Sequence, residues 1–402
     1  MNFLTTNKIE NEKTANNENN NRRNFLKTVA LTGAAISASP LLNTVSAAQR
    51  VIDYNDSSDS FGKMDLPLIK NKRILGAGKF VMEVSAVGFG CMGLNYNRSW
   101  HPDKKTLINL VHESIERGVN LFDTAESYGP YTNEELVGEA LKGYRNRVYV
   151  TTKFGHKFEN GKRVTTEQDS SPANIRKVCE NSLRRLGIET IDMFYQHRAD
   201  PNTPIEIVAE AVKELIKDGK VRRFGLCEVN VETIRRAHTI QPITAIQSEY
   251  HLMYRRVEES ILPLCEELGI GFVPYSPLNR GFLGGQLNEY TKFDTSNDNR
   301  AVLPRFTPEA MRANLRIVDV LYDFGRVRGL TTAQIAQAWL LNKKPWIVPI
   351  TGTTKLSHLE ENIRSADIHF TEEEMNEIET RTAAISIVGD RYNAAEQEKV
   401  QY

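Results

Sequence analysis

Residues 85–124 read SAVGFGCMGLNYNRSWHPDKKTLINLVHESIERGVNLFDT. An apolar strand pattern, SAVGFG, runs into a glycine-rich turn, and residues 88–93 spell G-x-G-x-x-G, the pattern of a dinucleotide-binding turn. In an open, doubly wound sheet that pattern works under two conditions. A helix must open directly after the turn, aiming its free amides at a pyrophosphate, and an acidic residue must close the next strand about 20 positions on. Neither condition holds here. The segment LNYNRSWHPDKK separates the turn from the first helical pattern, and the next strand ends at Asp123, thirty positions after Gly93. The glycines are therefore read as a tight turn ending a first strand, lining a cavity from the side opposite to any phosphate site.

Outward from this stretch, strand and helix patterns alternate with a regular period. SAVGFG precedes KKTLINLVHESIERG, NLFDTA precedes NEELVGEALKG, VYVTTKF precedes SPANIRKVCENSLRRLG, and IDMFYQH precedes TPIEIVAEAVKELIKDG. RRFGLCE, AIQSEY, GFVPYSP and WIVPIT follow as further strands, each leading into helical sequence, the seventh through a long insertion. The strands are near-continuously apolar, as in a parallel sheet covered on both faces. The helices open at Ser, Thr or Pro and close at Gly. Eight units without a break in period predict an α/β protein closed into a (β/α)8 TIM barrel, the alternative being an open doubly wound sheet. A hairpin, KRIL and VMEVS joined by GAGK, precedes the barrel, and TEEEMNEIETRTAAI adds a C-terminal helix.

The 402 residues carry 51 Lys plus Arg and 51 Asp plus Glu, so no global charge draws the chain to nucleic acid or an anionic membrane. The four cysteines, Cys91, Cys179, Cys227 and Cys265, sit in apolar segments without metal-ligand spacing and read as small core residues. The first twenty residues are polar and Asn-rich. Then come NRRNFLK, an uncharged run from Thr28 to Gln49, and TVSAAQ, a small-residue cleavage signal. The paired Arg22 and Arg23 resemble a twin-arginine signal, which implies the twin-arginine export machinery as a partner and a periplasmic or exported location. A membrane anchor, a chance basic pair and a cytoplasmic location are the alternatives. The chain thus divides into a signal segment at 1–48, a polar linker at 49–66, the barrel at 67–390 and a polar tail at 391–402.

Active residues of such barrels sit at the C-terminal ends of the strands. Strand 2 ends in FDTAESYG, giving Asp123 and Tyr128; strand 3 ends at Lys153; strand 4 ends in YQHR, giving His197. A free phenol has a pKa of about 10. A nearby ammonium lowers it, a carboxylate keeps the ammonium in place, and an imidazole orients a carbonyl. The set is a proton donor aimed at a developing alkoxide, which is the chemistry of carbonyl reduction once a hydride is supplied. Taken singly, each residue also has an ordinary structural explanation; their order on three consecutive strands carries the reading.

GVNLFDTAESYG, TTKFG, YQHR, QSEYHL, VPYSPLNRGFL and GTTKLSHLEENI together resemble the motifs of the aldo-keto reductase family over residues 70 to 385, and GFGCMG resembles a strand-1 end of that family. YQHR resembles the bacterial and plant branch near pyridoxal and perakine reductases. The resemblance implies an NADP(H)-dependent oxidoreductase that reduces an aldehyde or ketone reversibly, with Tyr128 as proton donor and Asp123, Lys153 and His197 completing a tetrad. It implies that Tyr275 stacks on the nicotinamide, Gln247 binds its carboxamide, and Ser276, Leu278 and Arg280 line the pyrophosphate path. Gly352, Thr353 and Lys355 of TGTTK would meet the 2′-phosphate, and Glu361 and Asn362 the adenine. The residues of TGTTK read alone also allow an ordinary helix cap at Thr353 or Thr354.

Three positions depart from the family pattern. Cys227 replaces Ser, which weakens a carboxamide contact. Thr351 replaces Pro, which is expected to loosen the loop. His358 replaces Arg, which makes part of a phosphate clamp pH-dependent or absent. Two further functions are alternatives: a non-catalytic NADP(H)-binding sensor, or an exported enzyme that recycles a tightly held NADP. The sequence implies a small carbonyl or alcohol substrate and no metal.

Overall fold

The computed structural model describes residues 66–401, so the signal segment and nearly all of the linker lie outside the described residues. Two antiparallel strands come first, β1 (Lys72–Leu75) and β2 (Met82–Ser85). The barrel strands that follow are β3 (Phe89–Gly90), β4 (Leu121–Asp123), β5 (Tyr149–Phe154), β8 (Met193–Gln196), β9 (Phe224–Cys227), β10 (Ile243–Glu249) and β11 (Gly271–Tyr275). β6 (His156–Glu159) and β7 (Lys162–Gln168) form a separate hairpin after β5. The helices are α1 (Lys104–Glu116), α2 (Thr132–Ala140), α3 (Pro172–Leu186), α4 (Ile205–Lys217), α5 (Val231–Ile240), α6 (Val257–Leu268), α7 (Pro308–Arg326), α8 (Thr332–Lys343), α9 (Leu356–Arg364), α10 (Glu372–Ala383) and a last short turn, α11 (Ala394–Gln397). None of the described helices is long and apolar enough to cross a membrane.

The seven barrel strands are all parallel, in the spatial order β11-β10-β9-β8-β5-β4-β3. The eighth expected strand, 346–351, is reduced to isolated bridges, yet it closes the ring. Val348 N and Ile350 N donate to Phe272 O and Pro274 O of β11, at 2.9 and 3.0 Å. On the other side, Gly88 N donates to Pro349 O at 2.9 Å and Thr351 N to Gly88 O at 3.1 Å. Pro274 and Pro349 have no N–H to give, so a regular ladder cannot form along this seam although the ring is complete. The (β/α)8 barrel with its N-terminal hairpin and C-terminal helix is the observed fold.

Local chemistry explains the elements. Ser171 accepts from Asn174 N, Pro172 occupies the first turn of α3, and Gly187 ends that helix in the left-handed conformation at φ 63°. Leu75, Met82 and Val84 of the first hairpin pack with Tyr195, Cys227 and Val348 inside the barrel. The hairpin thus plugs the end where the strands begin and leaves the opposite end for the site. All four cysteines are buried and free.

Two segments read as structureless from sequence are ordered. Residues 157–171, passed over between the third strand and its helix, mostly build the β6–β7 hairpin. Its two-residue turn, Asn160–Gly161, has φ of 50° and 75°. Asn-Gly flanked by alternating residues is a strong hairpin signal, and it was present in the sequence. The stretch at 391–402 is not merely a polar tail. Arg391 is buried at 2% exposure, and Gln401 N donates to Glu228 O at 3.1 Å, so the segment lies across the C-terminal ends of the strands.

Candidate active site

Asp123 ends β4 and Lys153 lies in β5, one strand over. The Lys153 ammonium is fully buried and donates to Asp123 Oδ1 at 2.5 Å, to Thr124 O at 2.8 Å and to Tyr128 Oη at 3.3 Å. Asp123 accepts two further bonds through Oδ2, from Thr151 Oγ1 at 2.8 Å and Gln247 Nε2 at 2.9 Å. Tyr128 reaches the ammonium because the chain turns sharply behind it. Gly129 sits at φ 107°, and a Cβ there would lie 2.0 Å from Thr132 Oγ1, so only glycine fits the turn. His197, just past β8, presents its ring edge-on to Tyr128 with centroids 5.8 Å apart. Its Nδ1 is 3.4 Å from Ser127 Oγ. The four residues read from the sequence therefore meet at one mouth.

Electrostatics set their protonation. Burial pushes the Tyr128 phenol up to about 12, with the Lys153 charge pulling the other way. The expectation of a net lowering by Lys153 is thus reversed, because desolvation of the phenolate outweighs the ammonium. Burial works against the Lys153 charge, but Asp123, Tyr128 and Cys227 together more than offset burial and hold the ammonium above its ordinary range. Burial, then His156 with its ring tilted against it at 4.6 Å, Lys153 and Arg198 keep His197 well below the usual imidazole value. At neutral pH the site holds a neutral phenol, a charged ammonium and a neutral imidazole.

These residues line a cavity of about 600 Å³ that continues towards the other predicted positions. Asp123, Tyr128, His197 and Gln247 form one part of its wall, while Lys153 lies behind it. Tyr275, Ser276, Leu278 and Arg280 form the wall after β11. Ser276, Asn279 and Arg280 all have positive φ, 52°, 45° and 54°, a strained loop that turns its backbone sharply beside the cavity. Gly352, Thr353, Lys355, Glu361 and Asn362 complete the cavity after the eighth strand segment. Lys355 is the N-cap of α9 but its ammonium cannot accept from the helix amides, and Thr353 Oγ1 accepts from Lys355 N at 3.0 Å. The first-turn amides of α9 are left without a side-chain cap, and neither Thr353 nor Thr354 is the helix cap.

The strand-1 glycines are closer to this loop than expected. A Cβ on Gly352 would lie 2.5 Å from Gly90 O, so the GFGCMG turn abuts the TGTTK loop and does not face it across the cavity. Thr351 does not loosen the loop: it is buried, its backbone pairs with Gly88, and its hydroxyl donates to Gln337 Oε1. His358 lines the cavity and is depressed by burial and by Lys355, so it is neutral at pH 7.

Several residues of the site escaped the sequence reading. Glu228, at φ 56° and fully buried, is bound by Arg391 through both terminal nitrogens at 3.0 and 2.7 Å and accepts from Tyr275 Oη at 2.7 Å. Tyr392 Oη lies 2.6 Å from Tyr275 Oη, and Tyr392 lines the cavity. No pattern in the polar sequence around Arg391 and Tyr392 announces this role. Arg198 was visible in YQHR but was given none.

Comparison with known proteins agrees with this geometry. The model of the aldo/keto reductase family matches residues 86–382. A probable aldo-keto reductase 1 from Glycine max is 40% identical over 311 residues, covering 77% of this chain and 89% of its own. Among solved structures, a glycerol dehydrogenase from Gluconobacter oxydans superposes with a TM-score of 0.70 at 29% identity, covering 81% of this chain and 98% of its own. An aldo/keto reductase from Klebsiella pneumoniae, solved with NADP and acetate, shares the fold at a TM-score of 0.59 and 24% identity, covering 77% and 95%. With its barrel complete and its family model matched over most of its length, this chain belongs to the aldo/keto reductase family, whose members are NAD(P)H-dependent oxidoreductases acting on carbonyl groups.

Proposed function

We propose that the protein reduces an aldehyde or ketone to an alcohol, reversibly, with NADPH as cofactor and Tyr128 as proton donor. The observation that carries this reading is the contact of Tyr128 Oη with the buried Lys153 ammonium, itself clamped by Asp123. The cofactor fits the residues present. The catalytic mouth and the TGTTK loop share one cavity, the Gly90–Gly352 contact leaves no room for a larger side chain at the loop, and the α9 amides lack a side-chain cap. Tyr275 and Gln247 would hold the nicotinamide, Ser276, Leu278 and Arg280 the pyrophosphate, and Gly352, Thr353 and Lys355 the 2′-phosphate, with Glu361 and Asn362 at the adenine. When bound, the nicotinamide supplies a hydride.

The chain's own residues do the rest. Tyr128 keeps its proton until charge develops on the substrate oxygen, then transfers it there. The Lys153 ammonium stabilises the phenolate that remains, and Asp123 prevents the ammonium from moving or losing its charge. His197, with Nδ1 near Ser127, has Nε2 left to donate to the same carbonyl oxygen and position it. Neutral His358 supports a 2′-phosphate clamp weaker than one built on arginine. A carbonyl panel run with NADPH and NADH side by side tests the reading. Turnover with preference for NADPH is expected; cofactor binding without turnover of any carbonyl overturns it in favour of a sensor.

We also propose, on NRRNFLK and TVSAAQ alone, that the chain is exported by the twin-arginine route as a folded protein carrying its cofactor. Fractionation with N-terminal sequencing tests this. Mature protein beginning near residue 49 outside the cytoplasm is expected, and a wholly cytoplasmic protein retaining residues 1–48 refutes it.

A further inference from the structure

The arginines along the cavity are of two kinds. Arg280 donates to Glu249 at 3.3 Å and Arg300 to Asp298 at 2.6 Å, so each has a carboxylate of its own. Arg198 lines the cavity beside His197 and makes no ion pair among the described residues. Its Nη1 donates to His197 O at 2.7 Å and its Nη2 to Tyr392 Oη at 3.2 Å. One acceptor is a backbone carbonyl and the other a phenol oxygen, and a guanidinium has five N–H donors to place. Glu228, which acts on Arg198 only from a distance, is already taken by Arg391. A guanidinium stays charged at any working pH, and withdrawing it from water without a counter-charge is costly. The site therefore keeps a fixed positive charge, without an ion-pair partner among the described residues, next to its proton donor and imidazole.

The cofactor's phosphates do not account for this charge. Their expected loops follow β11 and the eighth strand segment. Arg198 follows β8, which stands four places from that eighth segment in either direction around the ring. Arg98 is a second cavity arginine without an ion pair, but its loop follows β3, adjacent to the TGTTK seam, so the case rests on Arg198. Tyr392 braces Arg198 from the C-terminal segment, and its ring also lies 5.5 Å from the Arg280 guanidinium, so the guanidinium of Arg198 is held in place before any ligand arrives.

We propose that the substrate is a carbonyl compound bearing a carboxylate, which Arg198 binds while the carbonyl oxygen meets Tyr128 and His197. This rests on the reductase reading above and narrows it to a substrate class. A carboxylate accepts two parallel N–H bonds from a guanidinium, which gives orientation as well as affinity. The matched pair 4-carboxybenzaldehyde and its methyl ester tests it, each assayed with NADPH on the wild type, Arg198→Met and Arg198→Lys. The wild type should favour the carboxylate by at least about tenfold in kcat/KM, chiefly through KM, as expected for one charge-assisted bond. The ratio should fall to about one in Arg198→Met and be intermediate in Arg198→Lys, because the loss follows from the bidentate contact. Calorimetry on the NADP-loaded protein should show benzoate binding weakened by about tenfold or more in Arg198→Met, and benzamide binding unaltered by comparison. Equal kcat/KM for the two aldehydes in the wild type, or an unchanged ratio in Arg198→Met, overturns the proposal and leaves the reductase reading standing. No turnover of either aldehyde by a wild type that reduces other carbonyls of the panel overturns this inference alone, and no turnover of any carbonyl overturns the reductase reading and this inference with it.

Discussion

Tyr128 holds its proton at neutral pH because burial raises it to about 12, an effect that Lys153 only partly reverses. Replacing it by Phe removes the donated proton and leaves the ring in place against Tyr96, 6.1 Å away. Tyr128→Phe should lower kcat by at least about 100-fold, the usual range for a positioned general acid, with NADPH affinity by fluorescence titration unaltered. A neighbouring carboxyl behaves differently. Glu126 is pushed up to about 8 by burial, then by Glu134, against the pull of Arg185, and its Oε1 has no partner. Its folded pKa lies above its unfolded value of 4.5, so the stability linked to its proton is intact below about pH 4.5 and lost as pH rises towards 8. Glu126→Gln should therefore melt progressively higher than the wild type from pH 5 to pH 8, by several °C at the upper end, and a gap constant with pH contradicts it. The four positions proposed as catalytic were legible because strand ends are marked by the change from apolar to polar sequence. Arg198, Glu228 and Tyr392 were not, because what matters in them is which charge each lacks or shares, and that depends on neighbours far along the chain.

The C-terminal segment shows where element-level reading gave out. It reads as a polar tail, yet Arg391 and Glu228 form a buried pair whose neighbours include Tyr275, Glu249 and the ring of Tyr254. Polar sequence buries when its charges find each other, and single-sequence patterns register only the polarity. Arg391→Met leaves the Glu228 charge without its bidentate partner and should cost about 3–5 kcal/mol in urea unfolding, with Arg391→Lys recovering part of it. The β6–β7 hairpin failed to be read for the opposite reason. Its Asn160–Gly161 signal was plain, but barrel loops are read as connections first, and the strand residues around it are half exposed and charged. Helices were the most legible elements, since their caps and apolar stripes are local. The eighth strand was rightly placed in sequence and differs only in regularity, because Pro349 and Pro274 interrupt its ladder.

At the scale of the molecule, the eight-unit period was enough to give the closed barrel, and no single motif was. The seam is where the ring is least tolerant. A methyl on Gly352 would lie 2.5 Å from Gly90 O, a backbone atom that cannot yield without moving β3. Gly352→Ala should destabilise the fold by about 1–3 kcal/mol, as overpacking does, and weaken NADPH binding as well, whereas Gly143→Ala, in open space, should leave NADPH binding intact. The same contact has a consequence for the protein's birth. Gly90 emerges early from the ribosome and Gly352 near the end, so most of the chain must be synthesised before the two can touch. Such a long-range closure comes late and slowly. The loop proposed to hold the 2′-phosphate acquires its second wall only then, so NADP bound there cannot serve as a template for the early strands. On that reading the cofactor enters a barrel already formed.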